Sequence, residues 1–299
     1  MLTFSKIEAE ELDIVIGGRG FIGREFVSHL ADQKRPYKSL NSSESFRDFI
    51  ASGKRIDFHS VSSIVWLAGK SFPVNTPSNL DLSVFEDSIN LNLLLNLLIE
   101  HDWGGRLIFL SSGGCIYGES TEALHEESKI NPNNSYGQLK LQHEKLISAS
   151  TLKYSILRIS NVFGPREKIL HGQDVIGNWI RNIKSGDDCK VYGSVESFRD
   201  FIHVKDVVSA ISLNSQFGES NLVLNIGSGI KTKTQELIDI FTQYALENVR
   251  FVYENSRSFD RSGYVLDVSK AKSYLGWSPQ YSNKEQIKEF IARELGKKF

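Results

Sequence analysis

The chain has 299 residues and 33.7 kDa, with 40% hydrophobic residues, 24% charged residues and a net charge of -1. That length can bury a sizeable core in one or two domains, and the balanced charge gives no electrostatic case for nucleic acid or a membrane surface as partner. Two cysteines, Cys115 and Cys189, argue against a disulfide-built fold, and the first twelve residues hold no apolar stretch of signal-peptide length, so a cytoplasmic location is expected.

Residues 12–16 are a short β-branched run that predicts a buried strand. The strand leads into Gly17-Gly18-Arg19-Gly20-Phe21-Ile22-Gly23 and then into residues 24–30, whose apolar spacing is helical. Gly18, Gly20 and Gly23 satisfy G-x-G-x-x-G, while Gly17, Gly20 and Gly23 satisfy a looser G-x-x-G-x-x-G. In either register the glycines allow a tight turn, and the helix start offers free N–H groups to a dinucleotide pyrophosphate. Strands are predicted at 63–68, 106–110, 154–159 and 222–226, and helices at 83–101, 135–147 and 283–295. The alternation predicts an α/β fold, a Rossmann-type doubly wound parallel sheet with a smaller C-terminal α/β substrate lobe. Residues 1–165 form the dinucleotide-binding domain, 199–225 return to it, and 166–299 supply the smaller lobe. Ligands in such sheets bind beyond the carboxyl ends of the strands. Ser111-Ser112 and Asn161 both fall at such ends.

In the predicted helix at 135–147, Tyr136 and Lys140 stand four residues apart and share one face. An unperturbed phenol has a pKa of about 10, and a nearby ammonium favours the phenolate. The pair is a candidate general acid/base for a hydroxyl or carbonyl. No other of the ten tyrosines has a lysine at that spacing.

Further motifs follow in order: Trp66-Leu67-Ala68-Gly69; Asn90; Ser111-Ser112-Gly113-Gly114-Cys115-Ile116-Tyr117-Gly118; residues 158–165, matching R-x-x-N-x-[YF]-G-P; residues 199–206, matching R-D-[FY]-I-H-V-x-D; residues 225–229, matching N-I-G-x-G; and Leu275-Gly276-Trp277-Ser278-Pro279. With these the chain resembles, over nearly its whole length, the extended short-chain dehydrogenase/reductases of the nucleotide-sugar epimerase/dehydratase group. The resemblance implies that Tyr136 exchanges the hydroxyl proton and Lys140 supports it. Ser112, or Ser111 as the alternative, would hold the sugar oxygen. NAD would be held by Gly17, Gly20, Phe21, Ile22, Gly23, Asn41, Asp57, Leu67, Ala68, Gly69 and Asn90 together with Tyr136 and Lys140. The substrate, a nucleoside-diphosphate sugar, would meet Asn161, Arg199 and Arg261. No metal is implied, and a homodimer through the helices at 83–101 and 135–147 is expected.

Two departures sharpen the reading. Counting back from Tyr117-Gly118, Gly113 stands where many members carry the catalytic serine or threonine, and Gly114 and Cys115 stand where 4,6-dehydratases place an acidic pair. Neither can transfer a proton in that role, which argues against dehydration. Residues 37–43 lack the acidic residue that selects NAD, with Asn41 nearest its place, so NADP is not excluded. The leading expectation is a nucleotide-sugar 4-epimerase; the alternative is an NAD(P)H-dependent reductase of a 4-keto nucleotide sugar. A cofactor-sensing protein without turnover is a third reading, against which the intact Tyr136/Lys140 pair speaks.

Overall fold

A computed structural model of the chain describes residues 12–53, 56–71, 77–165, 174–219, 221–245, 249–257 and 262–298, without the side chains of 77–81. The first half alternates as expected: β1 (Leu12–Ile16), α1 (Phe21–Asp32), β2 (Tyr37–Leu40), α2 (Ser43–Ala51), β3 (Val61–Trp66), α3 (Pro77–Glu100), β4 (Arg106–Ser112), the single turn α4 (Gly113–Ile116), β5 (Ala123–Leu124), α5 (Ser135–Ser148) and β6 (Lys153–Ile159). There follow β7 (Asn161–Phe163), α6 (Val175–Ser185), β8 (Cys189–Tyr192), β9 (Phe198–His203), α7 (Val204–Gln216), β10 (Leu222–Ile226), β11 (Lys231–Lys233), α8 (Thr234–Ala245), β12 (Phe251–Glu254), β13 (Val265–Leu266), α9 (Ser269–Leu275) and α10 (Lys284–Glu294). Six strands form one parallel sheet in the order β10-β6-β4-β3-β1-β2.

The continuous apolar runs of these strands arise because both sheet faces are covered. Ile14, Ile16, Ile64, Trp66, Leu107 and Phe109 face one core with Phe46, Leu91, Leu94 and Ile147 of α2, α3 and α5. The intervening Val15, Val65, Ile108 and Leu110 face the other core, with Phe26 and Leu30 of α1 and Val207 and Ile211 of α7. The two-residue period of a strand thus sorts adjacent side chains into separate layers. A third core, around Phe163, Trp179, Phe201, Phe241 and Phe290, belongs to the C-terminal lobe.

Within 199–225, α7 packs on the large sheet and β10 forms its edge, while β9 lies in a three-stranded sheet with β7 and β11. Ala271, Leu275 and Trp277 also join the core of the large sheet, a segment that the sequence division assigns to the smaller lobe. The Leu-Gly-Trp motif explains this return. Gly276 takes the left-handed conformation (φ 63°) that ends α9, and the Trp277 indole donates to Ser209 Oγ at 2.9 Å. Asp206 anchors the following turn by accepting from the backbone N–H groups of Gln280 and Tyr281.

Helix α3 exposes a stripe of large apolar residues, Leu82, Phe85, Ile89 and Leu93, the first two at 73% and 66%. Their spacing of three or four residues keeps them on one face. Residues 82–100 are long and apolar enough, by length and composition only, to cross a membrane.

Candidate active site

The glycine loop is shaped by close backbone contacts at the carboxyl ends of β1, β2 and β3. Gly17 has φ +95°, and a Cβ there would lie 2.7 Å from the backbone nitrogen of Ala68. A Cβ on Gly18 would lie 2.0 Å from Ser39 Oγ, and one on Gly23 2.2 Å from the Gly17 carbonyl oxygen. Both registers read from the sequence therefore describe the same tight loop. The backbone N–H of Gly17 donates to the Leu40 carbonyl (2.9 Å) and that of Leu67 to the Ile16 carbonyl (2.8 Å), which joins the loop to the ends of β2 and β3. Gly20 caps α1 without a side-chain hydrogen bond. The cradle fits a dinucleotide: Cβ-free backbone, a helix start and a strand-end crevice converge there.

Across the sheet, the Asn134 side chain caps α5 by accepting from the N–H of Gly137 (2.7 Å). Gly137 is needed because α5 presses on α4, where a Cβ would lie 2.3 Å from the Cys115 carbonyl oxygen. Tyr136 and Lys140 are half-buried on one face of α5. The Lys140 ammonium donates to the Leu110 carbonyl at 2.9 Å, lies 4.7 Å from the Phe109 ring centroid, and 5.7 Å from that of Tyr136. Burial pushes the Tyr136 phenol above its ordinary value, and Cys115 and Asp87 add to the rise. Burial also brings Lys140 down to about 8, against the pull of Asp87, Glu144 and Cys115. The lowering of the phenol by Lys140 expected from the sequence is not found: every cause acting on Tyr136 raises it, desolvation most of all. At neutral pH the resting phenol is protonated and can donate.

Ser111 Oγ is buried and has no hydrogen-bond partner among the described residues. Such an orphan marks a place where a ligand or water belongs. Ser112, the next strand residue, is half-buried and caps α4 without a side-chain bond. A Cβ at Gly113 would meet Leu266 at 2.8 Å, and one at Gly114 the Tyr264 hydroxyl at 2.5 Å. At Gly114, the first position of the missing acidic pair, packing against Tyr264 therefore also disfavours a side chain.

Asn90 is half-buried in α3, and Leu67, Ala68 and Gly69 line the loop after β3. Asn41 is exposed just past β2 and accepts from Ser39 Oγ at 2.7 Å. Asp57 lies elsewhere. Its carboxylate accepts from the His59 N–H, capping a short turn (Phe58–Ser60) that leads into β3, at the amino ends of the strands and away from the cradle. That placement corrects its reading as an adenine contact: the residue is spent on a local cap. Asn161 Nδ2 donates to the Asp200 carbonyl at 3.2 Å, and Arg199 to its neighbour's carbonyl at 2.8 Å. Arg199 pairs with neither nearby aspartate, because Asp200 accepts from Ser228, Gly229 and Leu266, and Asp206 from residues 280–282. Arg261 lies outside the described residues.

Sequence reasoning missed Asp87. Its buried carboxylate accepts from the backbone N–H groups of Lys70 and Ser71 at 2.9–3.1 Å, clasping the loop after β3. Glu86 and Asp87 adjoin in α3, and nothing in the sequence singles out Asp87. Behind α5, Arg158 and Glu144 form a buried ion pair (2.7 Å), and Arg158 also donates to the Tyr117 hydroxyl at 2.7 Å.

A parallel sheet with a glycine cradle at its carboxyl edge, faced by a Tyr–Lys pair on one helix, defines a Rossmann-type enzyme of the short-chain dehydrogenase/reductase kind. The chain belongs to the NAD dependent epimerase/dehydratase family, whose model matches residues 14–227. It is 27% identical over 291 residues to dTDP-4-dehydro-6-deoxyglucose reductase of Escherichia coli, covering 89% of this chain and 92% of that protein. It is 26% identical over 294 residues to UDP-glucuronate 4-epimerase of Thermodesulfobacterium geofontis, covering 92% and 88%. The crystal structure of UDP-glucose 4-epimerase from Thermotoga maritima with UDP-glucose superposes with a TM-score of 0.82 at 26% identity, covering 95% of this chain and 97% of that one.

Proposed function

We propose that the chain is an NAD(P)-dependent nucleotide-sugar 4-epimerase. The observation that carries this reading is the Tyr136–Lys140 pair, held at the carboxyl end of β4 by the Lys140 bond to Leu110. As the phenolate, formed by loss of its resting proton, Tyr136 takes the proton of the sugar C4 hydroxyl as that carbon is oxidised, and as the phenol it returns a proton to the ketone oxygen after the sugar has turned. A nicotinamide dinucleotide held by the glycine loop at Gly17, Gly20 and Gly23 would supply the hydride acceptor and donor for C4. Lys140 keeps positive charge beside the phenol while its own proton is retained, that is, below about pH 8. Ser112, with Ser111 beside it, holds the reacting sugar oxygen, and Asn161, Arg199 and Arg261 bind the nucleotide sugar. A guanidinium fork suits the diphosphate of such a substrate.

A second reading, reduction of a 4-keto nucleotide sugar with exchangeable NAD(P)H, is favoured by the neutral residues Ser39 and Asn41 at the end of β2. The relative from Escherichia coli, by its name, is such a reductase. Denaturing the purified protein and identifying any released nicotinamide separates the two. Stoichiometric retained cofactor with conversion of UDP-glucose to its C4 epimer supports the epimerase; loss of cofactor on purification, with NAD(P)H consumed by a 4-keto sugar, supports the reductase.

The protein would act in the cytoplasm as a homodimer, free of membrane. The exposed stripe of α3, adjoined by α5 with Leu146 40% exposed, supports pairing with a second copy. A monomer by light scattering, or binding to lipid vesicles, would overturn that part.

A further inference from the structure

We propose that the dinucleotide site of this chain selects a 2′-phosphorylated cofactor, and that Arg19 reads the 2′-phosphate. The inference rests on the dinucleotide reading above, which the epimerase and the reductase share. An adenosine ribose whose pyrophosphate lies at the start of α1 comes to the end of the second strand, where a carboxylate holds the ribose hydroxyls or an arginine accommodates a 2′-phosphate.

Here the second strand ends in Ser39, Leu40 and Asn41, with Ser42 and Ser43 beyond, and none carries charge. Asn41 accepts from Ser39 through Oδ1, which leaves its amide N–H groups as the donors available to a ligand. The glycine loop touches this strand end directly. Gly17 donates to the Leu40 carbonyl, and Gly18 lies so close that a Cβ would sit 2.0 Å from Ser39 Oγ and 2.9 Å from Asn41 Oδ1. Arg19 is the next residue. It is exposed, Arg24 Nε holds its carbonyl at 3.0 Å, and no described residue engages its guanidinium.

Lys38 and Arg47 are the cations that lie near Asn41 in the chain. Lys38 is exposed on β2, and strand alternation turns it away from the face of Ser39. Arg47 lies a full turn into α2 beside the exposed acids Glu44 and Asp48. Arg19 has the better claim, since the loop that cradles the pyrophosphate carries it. A guanidinium fork matches a phosphate dianion, and the Asn41 amide adds N–H donors without repelling it.

The test is calorimetric titration of the full chain with adenosine 2′,5′-bisphosphate and with adenosine 5′-monophosphate. The bisphosphate is expected to bind roughly tenfold tighter or more, the scale of one hydrogen bond to a charged group. Arg19→Ala should remove most of that advantage and leave the monophosphate unchanged, while Asn41→Asp should reverse the preference. Equal or tighter binding of the monophosphate overturns the inference and leaves the nucleotide-sugar reading standing. An Arg19→Ala variant that weakens both ligands alike also overturns it. Failure of both ligands to bind the folded chain would remove the dinucleotide reading together with it.

Discussion

The two ends of the candidate cleft are built by opposite means. At the α5 end most polar groups are committed to partners: buried Glu144 holds Arg158, buried Asp87 clasps the loop at 70–71, and half-buried Lys140 is tied to Leu110. At the β2 end Arg19 and Asn41 are exposed and lightly bonded. Buried, interlocked charges cannot be changed without cost to the fold, whereas exposed donors can be exchanged with effects confined to binding. In the proposed function the chemistry is thus anchored in the interior, and cofactor choice is left to a surface that substitution can retune.

The comparison is broken most strongly at its reacting atom. Tyr136→Phe should lower turnover roughly a hundred- to ten-thousand-fold, the usual worth of a positioned acid/base. Dinucleotide affinity and melting temperature should stay near wild type; retained turnover would remove Tyr136 from the chemistry. Glu144→Gln should cost about 3–5 kcal/mol in denaturant unfolding, because it leaves Arg158 buried and uncompensated. A loss below about 1 kcal/mol would show that the interior end is as tolerant as the exposed one.

Acid should attack the same interior. His143, against Phe109 and Ser88, and His203, against Phe163, have pKa values lowered by burial from 6.5 to about 4. Between those values the unfolded chain binds protons that the native chain does not, so stability should fall as pH drops from about 6.5 to about 4. Each residue contributes up to about 3 kcal/mol of that loss. Flat stability across this interval would refute both burial effects. At the exposed end, Asn41→Ala should change unfolding free energy by no more than about 0.5 kcal/mol while altering nucleotide affinity. A larger stability change would merge the two ends into one structural unit.

How much was legible follows from where each signal resides. Short apolar runs marked β1, β4, β6 and β10 to within about two residues, the usual scatter of element ends. Spacing of four put Tyr136 and Lys140 on one helix face, and the glycine cluster announced a tight loop. Asp57 was misread although its role is local, since an aspartate two residues ahead of the N–H it accepts is a turn signal. Asp87, Leu266 and Tyr264 were illegible because their partners lie between 16 and about 150 residues away.

The sequence by itself determined the alternating architecture, the glycine loop and the Tyr–Lys pair, because helix period, strand period and the backbone needs of glycine act between near neighbours. Only the tertiary structure decided that Gly113 and Gly114 are hemmed in by Leu266 and Tyr264, that Gly18 shares a corner with Ser39 and Asn41, and that burial raises the Tyr136 phenol. Those properties depend on which strand ends the sheet sets side by side and on how much water that assembly excludes.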